Sequence, residues 1–462
     1  MESLGLALIF WYGILHAFGA DHLTAIADFS IGKNKKKTML ITSMFAVGHG
    51  VSLFIFAKIL EMYHISEDIL DKNRERFSKV TNLLKSDAKK GLPGAVLLVA
   101  QKGDVIYYDA FGDRVSFDLK EELDIKLKMN KETIFDLASL TKSFGATLAI
   151  MDLEKKNLLN SKDRVSKYLN SFNTNDKKDI TIENLLTHTS GLRASFPFYK
   201  QNREGVDTYY SIDSENTLKQ IGKLNLKYKT GEDTIYSDLG FISIGKIVEK
   251  VSKLTLDEYL EKNCYKELNL KNTIYNPLLK GFDKSNFAAT ERMGNTRDGK
   301  YLWDGVRKHT LIGEAHDELC FYSMNGVSGH AGLFSNALEI AKISEMLLQN
   351  YKGKDIFLNN ETVKKYTKKS ILCSRYTLGF DYAKDKRNIY RYGKYVSDKA
   401  FGKTGWTGTM ALIDPEYDLV IVLLTNKRHS PCEGEKFEGA QLDTGKYYKV
   451  SEMIYKAILG DD

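Results

Sequence analysis

A serine and a lysine stand three residues apart at the start of an apolar, periodic segment, in Ser139-Leu-Thr-Lys142. The apolar residues that follow recur at helical spacing, so the two side chains are expected on one face of a helix, one turn apart. Packing around the lysine amine is expected to desolvate it and to lower its pKa, so that it can take a proton from the serine. Serine is a poor nucleophile without such a base, so this pair is a candidate for acyl transfer through a serine ester, although Ser-x-x-Lys taken alone is more often part of a solvated helix face.

Two further short motifs hold groups that suit the same reaction. Tyr236-Ser-Asp238 follows a polar turn and opens a helical segment, and it offers a phenol and a carboxylate. Lys403-Thr-Gly405 lies in a strand-like stretch that continues through a tryptophan. Together with the serine and lysine pair, these motifs predict one site that is assembled from three segments of the chain.

A different set of chemical groups lies near the amino terminus. His16, Asp21 and His22 place two imidazoles and a carboxylate within two helical turns. Imidazole and carboxylate ligands suit nickel, cobalt or zinc, so these three residues are a candidate metal site.

Strands near both ends of the chain are expected to carry the serine site. Residues 94–100 and 105–111 are apolar and β-rich and are separated by a turn, which predicts a hairpin. Near the carboxyl end, 409–413 and 419–425 are predicted as two strands joined by a turn, and 447–459 has helical spacing. This order predicts one antiparallel sheet that is closed by the two ends of the chain, with helices between them.

Two apolar stretches at the amino terminus, residues 3–20 and 38–57, have the length that crosses a bilayer. A lysine cluster lies between them and acidic residues follow the second, so the positive-inside rule puts everything after about residue 62 outside the cell. A buried hairpin of a soluble core is the alternative. The predicted organisation is two transmembrane helices over 1–62, a linker with an amphipathic helix over 63–90, and a catalytic domain over 91–462.

The composition argues against several classes of protein. Of the 462 residues, 43% are hydrophobic, 27% are charged and only 5 are proline, which is typical of a globular chain. The 67 basic and 60 acidic residues are mixed along the chain, so nucleic acid is not a predicted partner. The four cysteines are far apart and predict neither a disulfide framework nor a zinc cluster.

The motifs and their surroundings resemble the active-site set of the penicillin-recognising serine hydrolases, on the branch of the class C β-lactamases and related penicillin-binding proteins. The resemblance covers about residues 75–460. It implies an α/β, serine β-lactamase-like fold, in which an antiparallel sheet is flanked by helices and carries an inserted helical subdomain. The segments that carry it include Leu92-Pro-Gly-Ala-Val-Leu-Leu-Val-Ala100, Thr133-Ile-Phe-Asp-Leu-Ala-Ser-Leu-Thr-Lys142, Asn184-Leu-Leu-Thr-His-Thr-Ser-Gly-Leu192, Gly329-His-Ala-Gly-Leu-Phe-Ser335 and Phe401-Gly-Lys-Thr-Gly-Trp-Thr-Gly-Thr409.

Carried onto this chain, the resemblance implies catalytic roles for four side chains. Ser139 would be the acylated nucleophile, and Lys142 its general base or proton shuttle. Tyr236 would relay a proton to the leaving group and activate water. Lys403 would favour the phenolate of Tyr236 and attract a substrate carboxylate. No cofactor is expected for this reaction.

The same resemblance implies substrate-binding roles around the Lys-Thr-Gly strand. Thr404 would hydrogen-bond a substrate carboxylate, Gly405 would let the substrate approach closely, and the backbone N–H groups of Ser139 and Trp406 would form an oxyanion hole. Asp238 departs from the asparagine that is common in the family, because an ionised carboxylate can pair with a lysine but cannot donate to an acyl-side amide carbonyl. This departure favours an esterase, amidase or peptidase over an efficient β-lactamase.

Other polar residues are expected to have supporting roles. The lysine and tyrosine arrangement leaves no role for a histidine base, so His188 and His330 are expected to make structural hydrogen bonds. The segment Gly313-Glu-Ala-His316-Asp-Glu318 has ligand-type side chains and is expected to form a pocket wall rather than a metal site. The loops over 197–210 and 280–324 are expected to set specificity.

The amino-terminal cluster resembles the first two membrane helices of the nickel/cobalt transporter family, through His16-Ala-Phe-Gly-Ala-Asp21-His22 and Phe-Ala-Val-Gly-His49-Gly. The resemblance covers about 60 residues and implies metal recognition by His16, Asp21 and His22. A permeation path needs more helices than this segment offers, so the segment is expected to serve mainly as an anchor.

The function predicted from the sequence is that of a serine hydrolase at the cell membrane, with its catalytic domain on the extracytoplasmic side. Its substrates would be amides or esters, either cell-envelope peptides as for a D-Ala-D-Ala carboxypeptidase, or β-lactams and esters. Two alternatives stay open: a penicillin-binding sensor that is acylated without turnover, and a nickel- or cobalt-binding membrane protein.

Overall fold

The structure is a computed structural model that describes residues 65–201 and 207–460. In that part of the chain no helix is both long enough and apolar enough to cross a membrane. The two predicted spans and the candidate metal ligands His16, Asp21 and His22 lie outside the described residues.

A seven-stranded antiparallel sheet forms the centre of the described chain, in the order β3-β2-β1-β10-β9-β8-β7. Two small sheets, β4-β6-β5 and β11-β12, lie apart from it. The strands are β1 (Gly94–Gln101), β2 (Asp104–Asp118), β3 (Glu121–Lys128), β4 (Phe135–Asp136), β5 (Ile274–Tyr275), β6 (Leu333–Ser335), β7 (Asp381–Tyr382), β8 (Phe401–Gly405), β9 (Thr409–Asp414), β10 (Leu419–Thr425), β11 (Cys432–Glu433) and β12 (Lys436–Phe437).

Both hairpins predicted from the sequence are present. β1 and β2 are joined by Lys102 and Gly103, which both have positive φ, as a tight hairpin turn requires. β9 and β10 are joined by a turn that ends at Asp418, again with positive φ. β1 also pairs with β10, from Ala95 with Thr425 to Gln101 with Leu419, so segments from the two ends of the described chain close the sheet as predicted.

Helices surround the sheet, and most of them lie in the long segment between β3 and β7. The α-helices are α1 (Glu67–Asn73), α2 (Ser78–Lys89), α3 (Leu148–Lys155), α4 (Ile182–Leu186), α5 (Ser214–Lys223), α6 (Asp238–Ser252), α7 (Leu256–Leu260), α8 (Glu318–Ser323), α9 (Ala337–Tyr351), α10 (Asn360–Thr367), α11 (Ile389–Tyr392), α12 (Glu438–Gln441) and α13 (Tyr448–Leu459). π-Helical turns precede α3 at Lys142–Thr147 and follow α7 at Glu261–Tyr265. Short 3₁₀ turns lie at Val165–Lys167, Asn170–Phe172, Asp207–Tyr209, Pro277–Lys280, Lys284–Asn286 and Thr444–Lys446.

The main core lies between the sheet and the two helices at the ends of the described chain. Leu97 of β1, Val80 and Leu84 of α2 and Ile454 of α13 are all buried in one cluster. α9 packs against β1, β9 and β10. With helices packed against them, β1 and β10 are buried along almost their whole length, and this explains why both read as continuous apolar runs in the sequence.

A buried histidine ties the end of β2 to the segment after β10. Nε2 of His429 accepts the backbone N–H of Ser116 at 3.0 Å and that of Phe117 at 3.1 Å. Burial, reinforced by the Arg292 guanidinium, lowers the pKa of His429 to about 3. Protonation would place a hydrogen on a nitrogen that already faces two N–H donors, so the fold holds this ring neutral.

Acid should therefore destabilise the fold through His429. Because its pKa is lower in the folded than in the unfolded chain, the free energy of unfolding is unaffected above pH 6.5 and falls as the pH drops toward 3, by about 1.4 kcal/mol per pH unit. His429→Gln keeps an acceptor but does not titrate. Between pH 7 and pH 5, its free energy of unfolding, measured with urea, should therefore fall by about 2 kcal/mol less than that of the unmodified protein.

Asn426→Ala is the control, since it removes hydrogen bonds to the carbonyls of Asp113 and Arg114 from the same segment but no titratable group. It should lower the free energy of unfolding equally at pH 7 and pH 5. Equal acid sensitivity of His429→Gln and the unmodified protein would contradict the assignment.

Candidate active site

Ser139 lies in the turn that joins β4 to the first helix of the inserted region. Ala138, directly before it, has a φ of +45°, a conformation that an L-residue adopts only when its surroundings enforce it. The buried carboxylate of Asp136 enforces it here, since it accepts the backbone N–H of Ala138 at 2.7 Å and that of His316 at 2.6 Å. These two hydrogen bonds fix the backbone conformation directly before Ser139 and so the position of the serine relative to β4. The π-helical turn that follows belongs to a class of helix irregularity that is frequent at functional sites.

Lys142 is fully buried, and its ammonium group meets three acceptors. Nζ lies 3.0 Å from Oγ of Ser139, 2.9 Å from the backbone carbonyl of His330 and 2.8 Å from Oδ1 of Asp238. A lysine ammonium has three N–H donors, and the Tyr236 side chain is also close enough to raise the pKa of this lysine. The predicted contact between Ser139 and Lys142 is present, and so is the predicted ion pair with Asp238.

The expectation that the pKa of Lys142 is lowered is wrong. Burial by itself lowers it, but the Asp238 carboxylate and the Tyr236 side chain outweigh burial and raise the pKa above its ordinary value. In the free protein, Lys142 is therefore an ammonium that donates to Ser139. Such a group can take the serine proton only if it passes on one of its own, so the geometry is that of a proton relay rather than of a neutral base.

Tyr236 stands between the two lysines of the site. The Nζ atoms of Lys142 and Lys403 each lie 4.9 Å from the centroid of its ring. On another side, the His188 ring lies 4.4 Å from it, centroid to centroid. Nδ1 of His188 accepts the N–H of Ser237, and burial together with Lys403 and Lys142 lowers the pKa of His188 well below its ordinary range. His188 is therefore a neutral ring, and it packs against the ring of Tyr236.

Lys403 lies on β8 and is held by a carboxylate that the sequence did not single out. Its Nζ is 3.0 Å from Oδ1 of Asp381, and both side chains are almost fully buried. Oδ2 of the same carboxylate lies 3.2 Å from Nη1 of Arg391 and accepts the hydroxyl of Tyr392 at 2.9 Å. No local pattern marks Asp381, which stands 22 residues before Lys403 and meets it only because β7 pairs with β8.

The end of β8 packs directly on the segment that carries the serine. A Cβ atom at Gly405 would lie 2.4 Å from the carbonyl oxygen of Leu137, so a side chain at this position would clash within the protein, and the predicted role of Gly405 in the approach of substrate stays a prediction. The hydroxyl of Thr407 donates to the carbonyl of Asp136 at 2.6 Å. Trp406, between these anchors, has a side chain that is 48% exposed, and Thr404 is half-buried. The two backbone segments expected to form an oxyanion hole are therefore neighbours.

The remaining histidines of the region make hydrogen bonds, as expected. The His330 ring bridges Oδ1 of Asp317 at 2.8 Å and Oγ of Ser328 at 2.7 Å, while its carbonyl holds Lys142. Nε2 of His316 lies 2.7 Å from Glu291. Over residues 65–201 and 207–460, no group of three His, Cys, Asp or Glu side chains is arranged to hold a metal ion. The contact from the His330 carbonyl to Lys142 was not predicted, because a backbone acceptor leaves no mark in a sequence.

Comparison with known proteins agrees with this geometry. Residues 78–444 match the family described as Beta-lactamase, and the chain belongs to that family. It is a serine hydrolase. The matched residues do not include His16, Asp21 and His22, and the likeness of that segment to a nickel/cobalt transporter stays a prediction.

Two curated relatives align over their full length. One is an "N-acetylmuramyl-L-alanine amidase" of Bacillus subtilis (strain 168), 39% identical over 446 residues that cover 92% of this chain and 100% of the relative. The other is a "Putative D-alanyl-D-alanine carboxypeptidase" of Escherichia coli (strain K12), 36% identical over 435 residues, with 92% and 99% covered. Among solved structures, the hydrolase EstCE1 superposes with a TM-score of 0.63 at 21% identity, covering 83% of this chain and 99% of that one, which shows a shared fold.

The proton relay predicts how Asp238→Asn changes the pH dependence of kcat/KM. Asp238 makes the largest contribution that raises the pKa of Lys142, so without this carboxylate the pKa falls and the ammonium is lost at a lower pH. If the ammonium is the working form, kcat/KM for a p-nitrophenyl ester should begin to fall at a lower pH in the variant than in the unmodified protein as the pH is raised.

Asp233→Asn serves as control, since it removes an exposed carboxylate from the turn just before the tyrosine. It should leave the profile unchanged. A gain of activity by Asp238→Asn at low pH would instead mean that neutral Lys142 is the base.

Proposed function

We propose that this serine hydrolase cleaves an amide bond of peptidoglycan fragments through an acyl-enzyme on Ser139. The observation that carries the proposal is the contact of 3.0 Å between Ser139 Oγ and Lys142 Nζ, inside a buried ring of charges that also holds Tyr236. The names of the two relatives support the substrate class, since one is named for the amide of N-acetylmuramyl-L-alanine and the other for that of D-alanyl-D-alanine.

The proposed reaction moves one proton from the serine to the leaving group. Oγ of Ser139 attacks the amide carbonyl while its proton passes to Lys142, a proton of Lys142 passes to Tyr236, and the phenol proton passes to the leaving nitrogen. Lys142 ends as the ammonium it was at the start, and Tyr236 ends as the phenol. The carbonyl oxygen is stabilised by the backbone N–H groups of Ser139 and Trp406. Water then cleaves the ester by the same path in reverse.

Asp238 favours one amide over another within the cell wall. In a peptide that ends in D-Ala-D-Ala, the acyl side carries a further amide carbonyl, which calls for a donor such as asparagine. The carboxylate of Asp238 accepts only, and its Oδ1 is already bound to Lys142. In N-acetylmuramoyl-L-alanine, the acyl side is a lactyl ether without such a carbonyl. The proposed bond is therefore the muramoyl amide, with the D-Ala-D-Ala peptide as the second candidate.

Replacement of the nucleophile tests the reaction. The unmodified protein should release L-alanine or its peptide from an N-acetylmuramoyl-L-alanyl substrate, and Ser139→Ala should lose at least about 1,000-fold in kcat. Intact-mass spectrometry with a penicillin or a fluorophosphonate should show an adduct that Ser139→Ala abolishes. Ser143→Ala, which removes a buried hydroxyl from the same helical turn, should keep the adduct.

The outcomes separate the alternatives. A long-lived penicillin adduct without hydrolysis of any amide or ester would support a sensor. Cleavage of D-Ala-D-Ala peptides but not of the muramoyl amide would support the second candidate. Hydrolysis that survives in Ser139→Ala would overturn the acyl-enzyme itself.

The proposal includes a membrane anchor, supported by the two apolar stretches over 3–20 and 38–57. The full chain should stay with the membranes through an alkaline carbonate wash, and external protease should reach the catalytic domain in spheroplasts. Release of the chain by the wash would contradict the anchor, and protection from protease would contradict its orientation.

A further inference from the structure

A cavity of about 240 Å³ is lined in part by Trp406, the residue that follows Lys403-Thr-Gly405. It lies among the loops that were expected to set specificity. Its lining includes four aromatic side chains, Tyr199, Tyr301, Trp303 and Trp406, and five polar or charged ones. Lys200 is one of the charged residues, and its Nζ lies 4.3 Å from the centroid of the Trp303 ring. The reaction described above uses none of these side chains.

The aromatic walls are held from outside the cavity. Tyr199 stacks on Tyr322 with ring centroids 5.2 Å apart, and Trp303 lies 5.8 Å from Tyr199. On the other side, the Arg428 guanidinium lies 3.7 Å from the centroid of the Trp406 ring and donates to the Trp406 carbonyl at 3.0 Å. The walls are thus preformed, and Trp406 remains 48% exposed in spite of this packing.

The polar groups are also fixed in place. Arg297 is paired with Glu291 at 2.7 Å and with Glu318 at 3.1 Å. Asn295 is buried and binds the His316 carbonyl and the Arg307 guanidinium. Flat apolar walls with a few oriented donors and acceptors suit a ligand that has apolar faces and polar edges, and a sugar ring has both.

The position and the size of the cavity further restrict the class of ligand that it can bind. Trp406 follows Gly405, which packs on the Leu137 carbonyl two residues before the nucleophile. Only an ether oxygen and one carbon separate the ring of N-acetylmuramic acid from the carbonyl that would be attacked, so its ring must lie beside the nucleophile. A volume of 240 Å³ is below the range of about 300–1,000 Å³ that is usual for drug-sized ligands, and it fits one ring.

We infer that this cavity is a saccharide subsite that binds the N-acetylmuramoyl ring on the acyl side of the scissile amide, with Trp303 and Trp406 as its walls. The inference rests on the proposed function for its substrate. It assigns to Trp303 the role of a specificity-determining residue that contributes binding energy away from the reacting atoms.

Tryptophan fluorescence reports on the cavity directly, because two of the three tryptophans of the chain line it. In full-length Ser139→Ala, which binds without turnover, N-acetylmuramoyl-L-alanine should change the emission in a saturable way. The added change Trp303→Ala should weaken this binding roughly tenfold, and Trp303→Phe should restore most of it. D-lactoyl-L-alanine, which has the same amide without the sugar, should bind equally to all three proteins.

Leu302→Ala is the matched control, since Leu302 is the exposed neighbour of Trp303 and does not line the cavity. Undiminished binding of the sugar-bearing probe by Trp303→Ala, measured by calorimetry, would overturn the subsite. An equal loss for both probes would assign Trp303 a structural role instead.

Kinetics keep the two proposals distinguishable. With Ser139 intact, Trp303→Ala should raise KM for N-acetylmuramoyl-L-alanine about tenfold with little change in kcat, whereas Leu302→Ala should leave both constants unchanged. Cleavage of the amide without dependence on Trp303 would retain the proposed reaction and reject the subsite. Binding that depends on Trp303, without cleavage by the unmodified protein, would retain the subsite and reject the reaction.

Discussion

The three hydrogen bonds of the buried Lys142 ammonium are the interaction on which the rest of the site depends. Their acceptors come from three separate places: the turn after β4, the segment before β6 and the first turn of α6. A buried ammonium without partners would cost several kcal/mol, so the fold is stable only when these segments meet. The contacts that offset the cost of burying Lys142 also position Ser139.

A second buried ion pair gives the site its charge balance. Lys142 with Asp238 and Lys403 with Asp381 are two neutral pairs on either side of Tyr236, and Arg391 adds one positive charge beside Asp381. The positive charges held beside Tyr236 favour the negative charge that develops when a carbonyl is attacked. The lysines need not give up their protons for this effect.

What could be predicted from the sequence are local contacts, together with two long-range contacts that the order of the strands and the motifs indicated: the pairing of β1 with β10 and the ion pair of Lys142 with Asp238. The hairpins β1–β2 and β9–β10, and the approach of Ser139 to Lys142, depend on neighbours in sequence, and all were predicted. Asp381 and the carbonyl of His330 reach the site only through tertiary pairing, and no pattern marks them. The error on the pKa of Lys142 has the same origin, since apolar neighbours revealed its burial, but the magnitude of the effect of Asp238, which stands 96 residues further on, depends on a distance that only the fold supplies.

The pairing of β1 with β10 has a consequence for how the chain is made. The Leu419–Thr425 partner of β1 is synthesised roughly 320 residues after Gln101, which at about 5–20 residues per second is a delay on the order of half a minute. Until then, the first hairpin presents an apolar strand with one unsatisfied edge, which is a template for wrong pairing with another nascent chain. The sheet that supports the nucleophile is therefore completed only after about 320 further residues have been synthesised, and the edge of β1 stays open to wrong pairing during that interval.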